Sequence, residues 1–180
     1  MRAITVQQPW AWAIVHGGKT IENRTQNWSY RGEMAIHSGR RCSDRGIHDS
    51  RILAAVAGSS IDTRDRFRTL QSDLTPHLVY GAIIGLADLV DVHPSAGCCA
   101  PWGESAYVEH GGRTRRHVMH LVFEDVRPLA EPIPCRGALG LWTPPADIAE
   151  RCHNAAHREI DQTAIHSTNQ QRHIAARGTD

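Results

Sequence analysis

Apolar and polar residues alternate around Ala3-Ile4-Thr5-Val6, a period of two that predicts a short, half-buried strand over residues 2–7. Gln7-Gln8-Pro9 ends it, and Pro9 suits the first turn of a helix, where its missing N–H costs nothing. Trp10 to His16 follows a helical period, and Gly17-Gly18 stops it. The alternating pattern returns at Thr20–Arg24 and at Arg31–His37. In the latter, Met34 and Ile36 share one face and Glu33, Ala35 and His37 the other. Ser43 can cap a helix predicted from about Asp44 to Ala57, with Ile47, Leu53 and Val56 inward and Gly58 as its stop. Residues 59–76 hold only Ile61, Phe67, Leu70 and Leu74 as large apolar side chains, which fits a short helix or an exposed loop equally well.

From Leu78 to Val92 the chain is apolar and strand-like, with Gly81 and Gly85 marking a bulge or bend. Residues 93–116 read as loop, 117–124 as a strand, 127–134 as extended by its prolines, and 137–142 as a closing strand. Six or seven strands with helices as inserts, not as alternating crossovers, predict an α+β protein around a small mixed β-barrel. Thr143-Pro144-Pro145 marks a boundary. A barrel domain is expected over 1–142. Residues 143–180 are expected to form a helix capped by Thr143, with Ile148, Cys152, Ala155 or Ala156 and Ile160 as its stripe, and a polar, frayed or disordered tail from Gln162.

Composition narrows the class. Apolar residues make up 41% and charged residues 22%, as in a soluble globular chain. No apolar run reaches membrane-spanning length, and the N-terminus lacks a signal-peptide core. The five cysteines show neither a disulfide framework nor a CxxC knuckle, so reduced thiols and a cytoplasmic location are expected. Cys98-Cys99 could oxidise or bind a soft metal but read first as loop residues, His117 and His120 as facing opposite ways, and His153 with His157 as a helix pair lacking a third ligand. No metal or cofactor is expected. With a net charge of +1, nucleic-acid binding must come from a local patch. No P-loop, dinucleotide fingerprint or nucleophile elbow occurs.

Chemistry concentrates in Gly17-Gly18-Lys19-Thr20-Ile21-Glu22-Asn23-Arg24. Lys19 is the sole lysine among 20 basic Lys and Arg side chains. An ammonium fits a point-charge site and, unlike a guanidinium, can be made neutral by burial. Glu22 and Arg24 are two apart, so a strand places them on one face. Lys19, at odd separation from Glu22, joins them if it sits in the turn after Gly18 or if the strand bulges near Thr20. Lys19, Glu22 and Glu104, the last in the Pro101–Glu104 loop, are the candidate catalytic residues. Candidate ligand-binding residues are Trp10, Trp28 and Tyr30 for stacking, Arg24 and Arg31 for charge, His37, and the basic loop residues Arg115 and Arg116.

The chain resembles the ASCH family, a branch of the PUA-like β-barrels. Gly17 to Arg24 fits the family motif GxKxxExR, with Val6–Ala11, Tyr30–Gly32 and Ala35–His37, and Pro132–Gly137 with Leu139–Trp142 resembling the flanking segments over residues 2–142. The resemblance implies a cleft beside the motif for nucleic acid, RNA before DNA, or for a nucleoside. It also implies relatives in RNA metabolism, transcriptional adaptors, small amidohydrolases that deacylate N4-acetylcytidine, and nucleases. In the amidohydrolases the motif lysine works with a threonine three residues later and a distant glutamate. Here that slot holds Glu22, and Thr20 follows the lysine directly.

Three readings follow. The first is an RNA- or modified-nucleoside-binding domain. The second is a small hydrolase of N4-acylcytidine-type amides or of RNA, using Lys19 and Glu22. The third is an adaptor that docks a protein partner through its C-terminal helix.

Overall fold

The structure, a computed structural model of the 180-residue chain, describes residues 1–57, 72–104, 108–110 and 114–156, with the backbone alone for 108–110 and 114–116. One mixed sheet carries the fold. Its strands are β1 (Arg2–Gln8), β2 (Ile21–Arg24), β3 (Gly32–Cys42), β4 (Ala82–Pro94), β7 (Met119–Pro134) and β8 (Leu141–Trp142). They run in the order β2-β7-β4-β3-β1-β8 and curl into a half-barrel. β1 and β3 are parallel, and every other pairing is antiparallel. A separate hairpin pairs β5 (Val108–His110) with β6 (Thr114–Arg116).

The helix α1 (Trp10–His16) fills the inside of the curl. Ala11, Ile14 and Val15 pack on Ile4, Val6, Met34, Ile36, Leu89, Leu121 and Phe123. On its other side, Trp12 and Ala13 meet Ile21, Ile52, Leu53, Leu74, Leu78 and Trp102. A helix apolar on both sides is one buried on both sides. Gln8, fully buried, accepts a hydrogen bond from Trp12 N at 3.0 Å and donates to Val79 O at 2.7 Å. Its side chain thereby satisfies one of the free N–H groups at the helix start. Pro9 stands one place earlier than the sequence suggests, as the N-cap.

The opposite sheet face is covered by a helix over residues 146–156, here α4. Ile148, Cys152 and Ala156 are buried against Ala3, Ala35, Ile83, Leu86, Leu129 and Ile133. Adjacent residues such as Ala3 and Ile4, or Ala35 and Ile36, thus serve opposite cores, as strand alternation requires.

Several sequence expectations change, among them the loop expected over 93–116, which carries the end of β4 and the β5–β6 hairpin. The single helix over 44–57 is two, α2 (Asp44–Ile47) and α3 (Ser50–Ala57). Ser43 does cap the first, accepting from Gly46 N at 3.1 Å. Asp49 then accepts from Arg51 N at 3.0 Å and restarts the chain, so Ile52 and Leu53 become the inward pair. The strand over 137–142 shrinks to Leu141–Trp142, because Gly140 turns the chain at φ +67° and leaves Leu139 exposed. The two extended segments expected over 117–124 and 127–134 form one long strand, Met119–Pro134, its register slipping at three places opposite β4. One slip falls between Ile83 and Gly85, and Gly85 lies against Val15 of α1, where the sequence places a bulge. Thr143 does not cap α4; its hydroxyl accepts from Arg2 Nη1 at 2.7 Å, and the helix opens with Ala149 N donating to Pro145 O.

Ile61, Phe67 and Leu70, with Gly58, Ile160 and the tail from Gln162, lie outside the described residues; Leu74 is buried. No helix among the described residues is long and apolar enough to cross a membrane.

Candidate functional site

Gly18 sets the geometry of the motif. Its φ of +68° falls in the region open to glycine, and it bends the chain so that Lys19 N donates to Ala13 O at 2.9 Å. β2 begins only at Ile21, so Lys19 is not bound by strand alternation and turns to the side of Glu22. The condition set by the sequence is met. Lys19 Nζ stands 3.2 Å from Glu22 Oε2 and also donates to Ile21 O. Glu22 Oε1 lies 3.1 Å from Arg24 Nε, an ion-pair distance, although that N–H finds no aligned hydrogen-bond partner among the described residues. Arg24 Nη2 donates to Thr5 O at 2.7 Å, which ties the motif to β1.

Lys19 is 3% exposed and Glu22 8%. Burial pulls the Lys19 ammonium below its usual pKa, and the attraction and hydrogen bond of Glu22 work against that pull. Two indoles flank the ammonium: Nζ is 5.9 Å from the Trp10 ring centre and 6.0 Å from that of Trp102. Trp102 is held by its own donation to Gly18 O at 3.1 Å and by the Arg51 guanidinium 4.7 Å over its ring. Arg51 is in turn oriented by Asp49, at 2.8 and 2.6 Å. Asn23 clamps the second loop to the motif, donating to Trp102 O at 2.9 Å and accepting from Glu104 N at 3.0 Å. Glu104 pairs with Arg45 at 2.8 Å.

These groups enclose a cleft of ≈ 210 Å³, with Lys19 and Glu22 at its floor, Trp10 and Trp102 as walls, and Arg45, Arg51 and Glu104 at the rim. Trp10, Glu22 and Asn23 also border a wider groove of ≈ 720 Å³ that runs past Arg24, Arg40 and Arg41 to Gly140. The cleft offers a fixed cation, a carboxylate acceptor and flat apolar faces. The groove adds arginines.

Lys19, Glu22, Glu104, Trp10 and Arg24 therefore come together. The other sequence candidates stand elsewhere. Trp28 and Tyr30 are half-buried on the main core, and the Tyr30 hydroxyl donates to Glu33 O at 2.6 Å. Arg31 donates to the carbonyls of Trp28, Tyr30 and Val92 and bolsters that loop. His37 is buried in a separate hollow with Cys135 and Gly137, its ring edge-on to Trp142. Arg115 and Arg116 lie in β6, and their side chains are outside the described residues. His153 faces Glu33 at 3.4 Å, and His157 is outside the described residues. The sequence reading missed Arg45, Arg51 and Trp102. Trp102, an aromatic two residues before a candidate carboxylate, was the available signal; nothing local marked Arg45 or Arg51.

A mixed half-barrel wrapped on one helix, with a lysine–glutamate–arginine motif opening into a cleft at the helix exit, defines a PUA-like α+β domain. A sequence model of the ASCH domain matches residues 4–116, and the chain belongs to the ASCH family, whose PUA-like fold is often RNA-binding. β7 and β8 lie beyond the matched segment but supply the strand between β2 and β4 and the partner of β1. Solved structures similar to it include ASCH from Zymomonas mobilis, at 15% identity and a TM-score of 0.48, covering 83% of this chain and 90% of that one. A point mutant of the same Zymomonas protein matches at 14% identity and a TM-score of 0.48, covering 83% and 94%. No curated protein matches the chain.

Proposed function

We propose that the chain binds a nucleobase, in RNA or as a modified nucleoside, in the cleft of Lys19, Glu22, Trp10 and Trp102. The observation that carries this reading is the buried Lys19 ammonium, tied to Glu22 and about equally far from two indole rings. An ammonium donor beside a carboxylate acceptor complements the polar edge of a base, and the indoles offer it a stacking surface worth about 1–3 kcal/mol per base. Arg24, Arg40 and Arg41 along the adjoining groove supply the local positive charge for phosphates that the balanced whole chain lacks. Family membership supports RNA over DNA. The apolar stripe that suggested a docking helix is spent on the sheet, which favours this reading over the adaptor.

Tryptophan fluorescence is the direct test, because two of the five tryptophans wall the cleft. Short single-stranded RNA and free nucleosides, titrated at low salt, are expected to give a saturable change. No response to any of them overturns the proposal.

A second reading, hydrolysis, is favoured by one observation: a lysine whose charge is opposed by burial shares the cleft with two carboxylates, Glu22 and Glu104. In that reading the neutral amine or Glu22 activates water against an amide or phosphodiester. Turnover of N4-acylcytidines and labelled RNA by wild type and Lys19→Ala tests it. Equal rates in the two remove the hydrolase.

A further inference from the structure

A second cluster stands behind the Trp102–Glu104 wall. His93, near the end of β4, and His120, near the start of β7, are direct cross-strand partners. The chain leaving β4 folds back over them through residues 95–104, with Ser95 N donating to Val118 O at 2.8 Å. It brings Cys98 and Cys99 to the two imidazoles. Cys98 Sγ lies 3.4 Å from His93 Nε2 and 3.5 Å from His120 Nδ1, and Cys99 Sγ lies 3.4 Å from His93 Nε2. All four ligand-type atoms fall within 4.8 Å of one another.

Three features go beyond proximity. First, the distances have the right size: arms of about 2.3 Å to sulfur and 2.05 Å to nitrogen at a tetrahedral angle put S and N about 3.6 Å apart. Second, both histidines already have an outer partner. His93 Nδ1 meets Asp91 Oδ2 at 2.6 Å, and His120 Nε2 meets Glu104 O at 2.9 Å. A carboxylate and a carbonyl only accept, so each of those ring nitrogens carries a proton, and in the neutral ring the nitrogen facing the sulfurs presents its lone pair. A metal-bound histidine is held by the same outer bond. Third, neighbouring residues in extended chain point apart, but Cys99 takes φ +64°, a conformation non-glycine residues rarely adopt. That turn lets both thiols face one point, and such backbone strain is concentrated at functional sites.

We propose that His93 Nε2, Cys98 Sγ, Cys99 Sγ and His120 Nδ1 bind one zinc-class divalent ion in a closed, structural tetrahedral site. The donor set selects the ion: two thiolates with two imidazoles in tetrahedral array suit zinc rather than a hard, oxygen-seeking cation. Binding releases the two thiol protons, and the resulting two-thiolate complex of a divalent ion is neutral, which suits a site whose His120 is fully buried. Four protein ligands leave no position for a substrate, so the role is mechanical. Trp102 N and Gly103 N both donate to Cys99 O, at 3.1 and 2.7 Å, and His120 holds Glu104 O. The ion would therefore anchor the loop that supplies one wall and one carboxylate of the cleft. Its binding stands whatever ligand the cleft takes.

The test uses the full chain, purified under reducing conditions without chelator or metal-affinity resin. Elemental analysis is expected to find about one zinc per chain. Exchange with cobalt(II) is expected to give a thiolate-to-cobalt charge-transfer band and the intense visible bands of a tetrahedral site. The Cys98→Ser/Cys99→Ser double variant is expected to lose both signals, and His153→Ala to keep them. Should the double variant fail to fold, alkylation of the wild type decides: the ion should protect Cys98 and Cys99 while exposed Cys42 reacts. Wild-type protein that takes up no stoichiometric zinc and shows no cobalt–thiolate band overturns the proposal. So does a Cys98–Cys99 disulfide that persists under the reducing conditions of purification, or equal alkylation with and without zinc.

Discussion

The Lys19 cleft and the His93–Cys98–Cys99–His120 cluster share one loop, residues 95–104, and are assembled in opposite ways. The cleft floor comes from six consecutive residues, bent by one glycine turn so that three charges converge. The cluster draws on positions 93 to 120, which meet only because β4 and β7 pair in one register. The first is polar and charged, with Arg45, Arg51 and Glu104 at its rim. The second turns its four ligand-type atoms toward one another. A local motif can be moved as a unit and still hold its geometry, whereas a cross-strand cluster depends on the sheet and, in return, pins its loop. The loop is where the two meet: Trp102 and Glu104 face the cleft while Cys98 and Cys99 face the histidines.

The largest effect is expected from breaking the cleft's own pair. Glu22→Ala strands Lys19 without its carboxylate in a buried site, which costs about 3–5 kcal/mol. Lys19→Met should cost clearly less, because the stem still packs and Glu22 keeps Arg24 nearby. Urea denaturation of the two variants checks the order; the reverse order would mean that the pair does not act as a buried unit.

Removing the proposed ion should come next. Free zinc at a hundredfold over its Kd stabilises by about 2.7 kcal/mol. Chelation is then expected to lower the Tm by roughly 5–10 °C. The same treatment should weaken ligand binding in the cleft, through Trp102, while leaving the Lys19–Glu22 pair intact. A drop in Tm with unchanged binding would separate the two regions.

Trp10→Leu sharpens the cleft side alone. It removes one stacking wall and is expected to weaken RNA or nucleoside binding by about 1–3 kcal/mol, without altering zinc content. Isothermal titration of the variant, with metal analysis alongside, reads both.

The smallest effect is a pH slope remote from both regions. His37 Nε2 meets Cys135 O at 3.1 Å, its buried Nδ1 has no hydrogen-bond partner among the described residues, and burial pulls its pKa below 6.5. The unfolded chain therefore takes up the proton first, so this contribution to stability is present above about pH 6.5 and is lost as pH falls through the folded value. His37→Asn should flatten the decline in stability from roughly pH 7 to 5, though not abolish it. His16, lowered by burial and by His77, acts in the same direction.

Short-range features were legible in the chain itself. The period-two pattern marked β1, β2 and β3, the helical period marked α1, and the bulge at Gly85 was readable as a glycine inside an apolar strand. The convergence of charges in the GxKxxExR stretch was readable because its three charged residues lie close enough for one turn and one strand to bring them together. Boundaries fared worse where a side chain competed with the backbone. Asp49 split a helix that periodicity joins, and Gly140 cut short a strand that apolar content extends.

What the chain determined by itself is thus the half-barrel's strands, the buried helix and the charged motif, because each rests on contacts within a few residues or on a face pattern that burial must respect. Only the tertiary structure decided which walls the cleft has, that α4 spends its apolar stripe on the sheet, and that His93 faces His120 across two strands. Those facts depend on strand register and on a loop returning over it, which no periodicity encodes: a slip of one residue would send His120 to the other face.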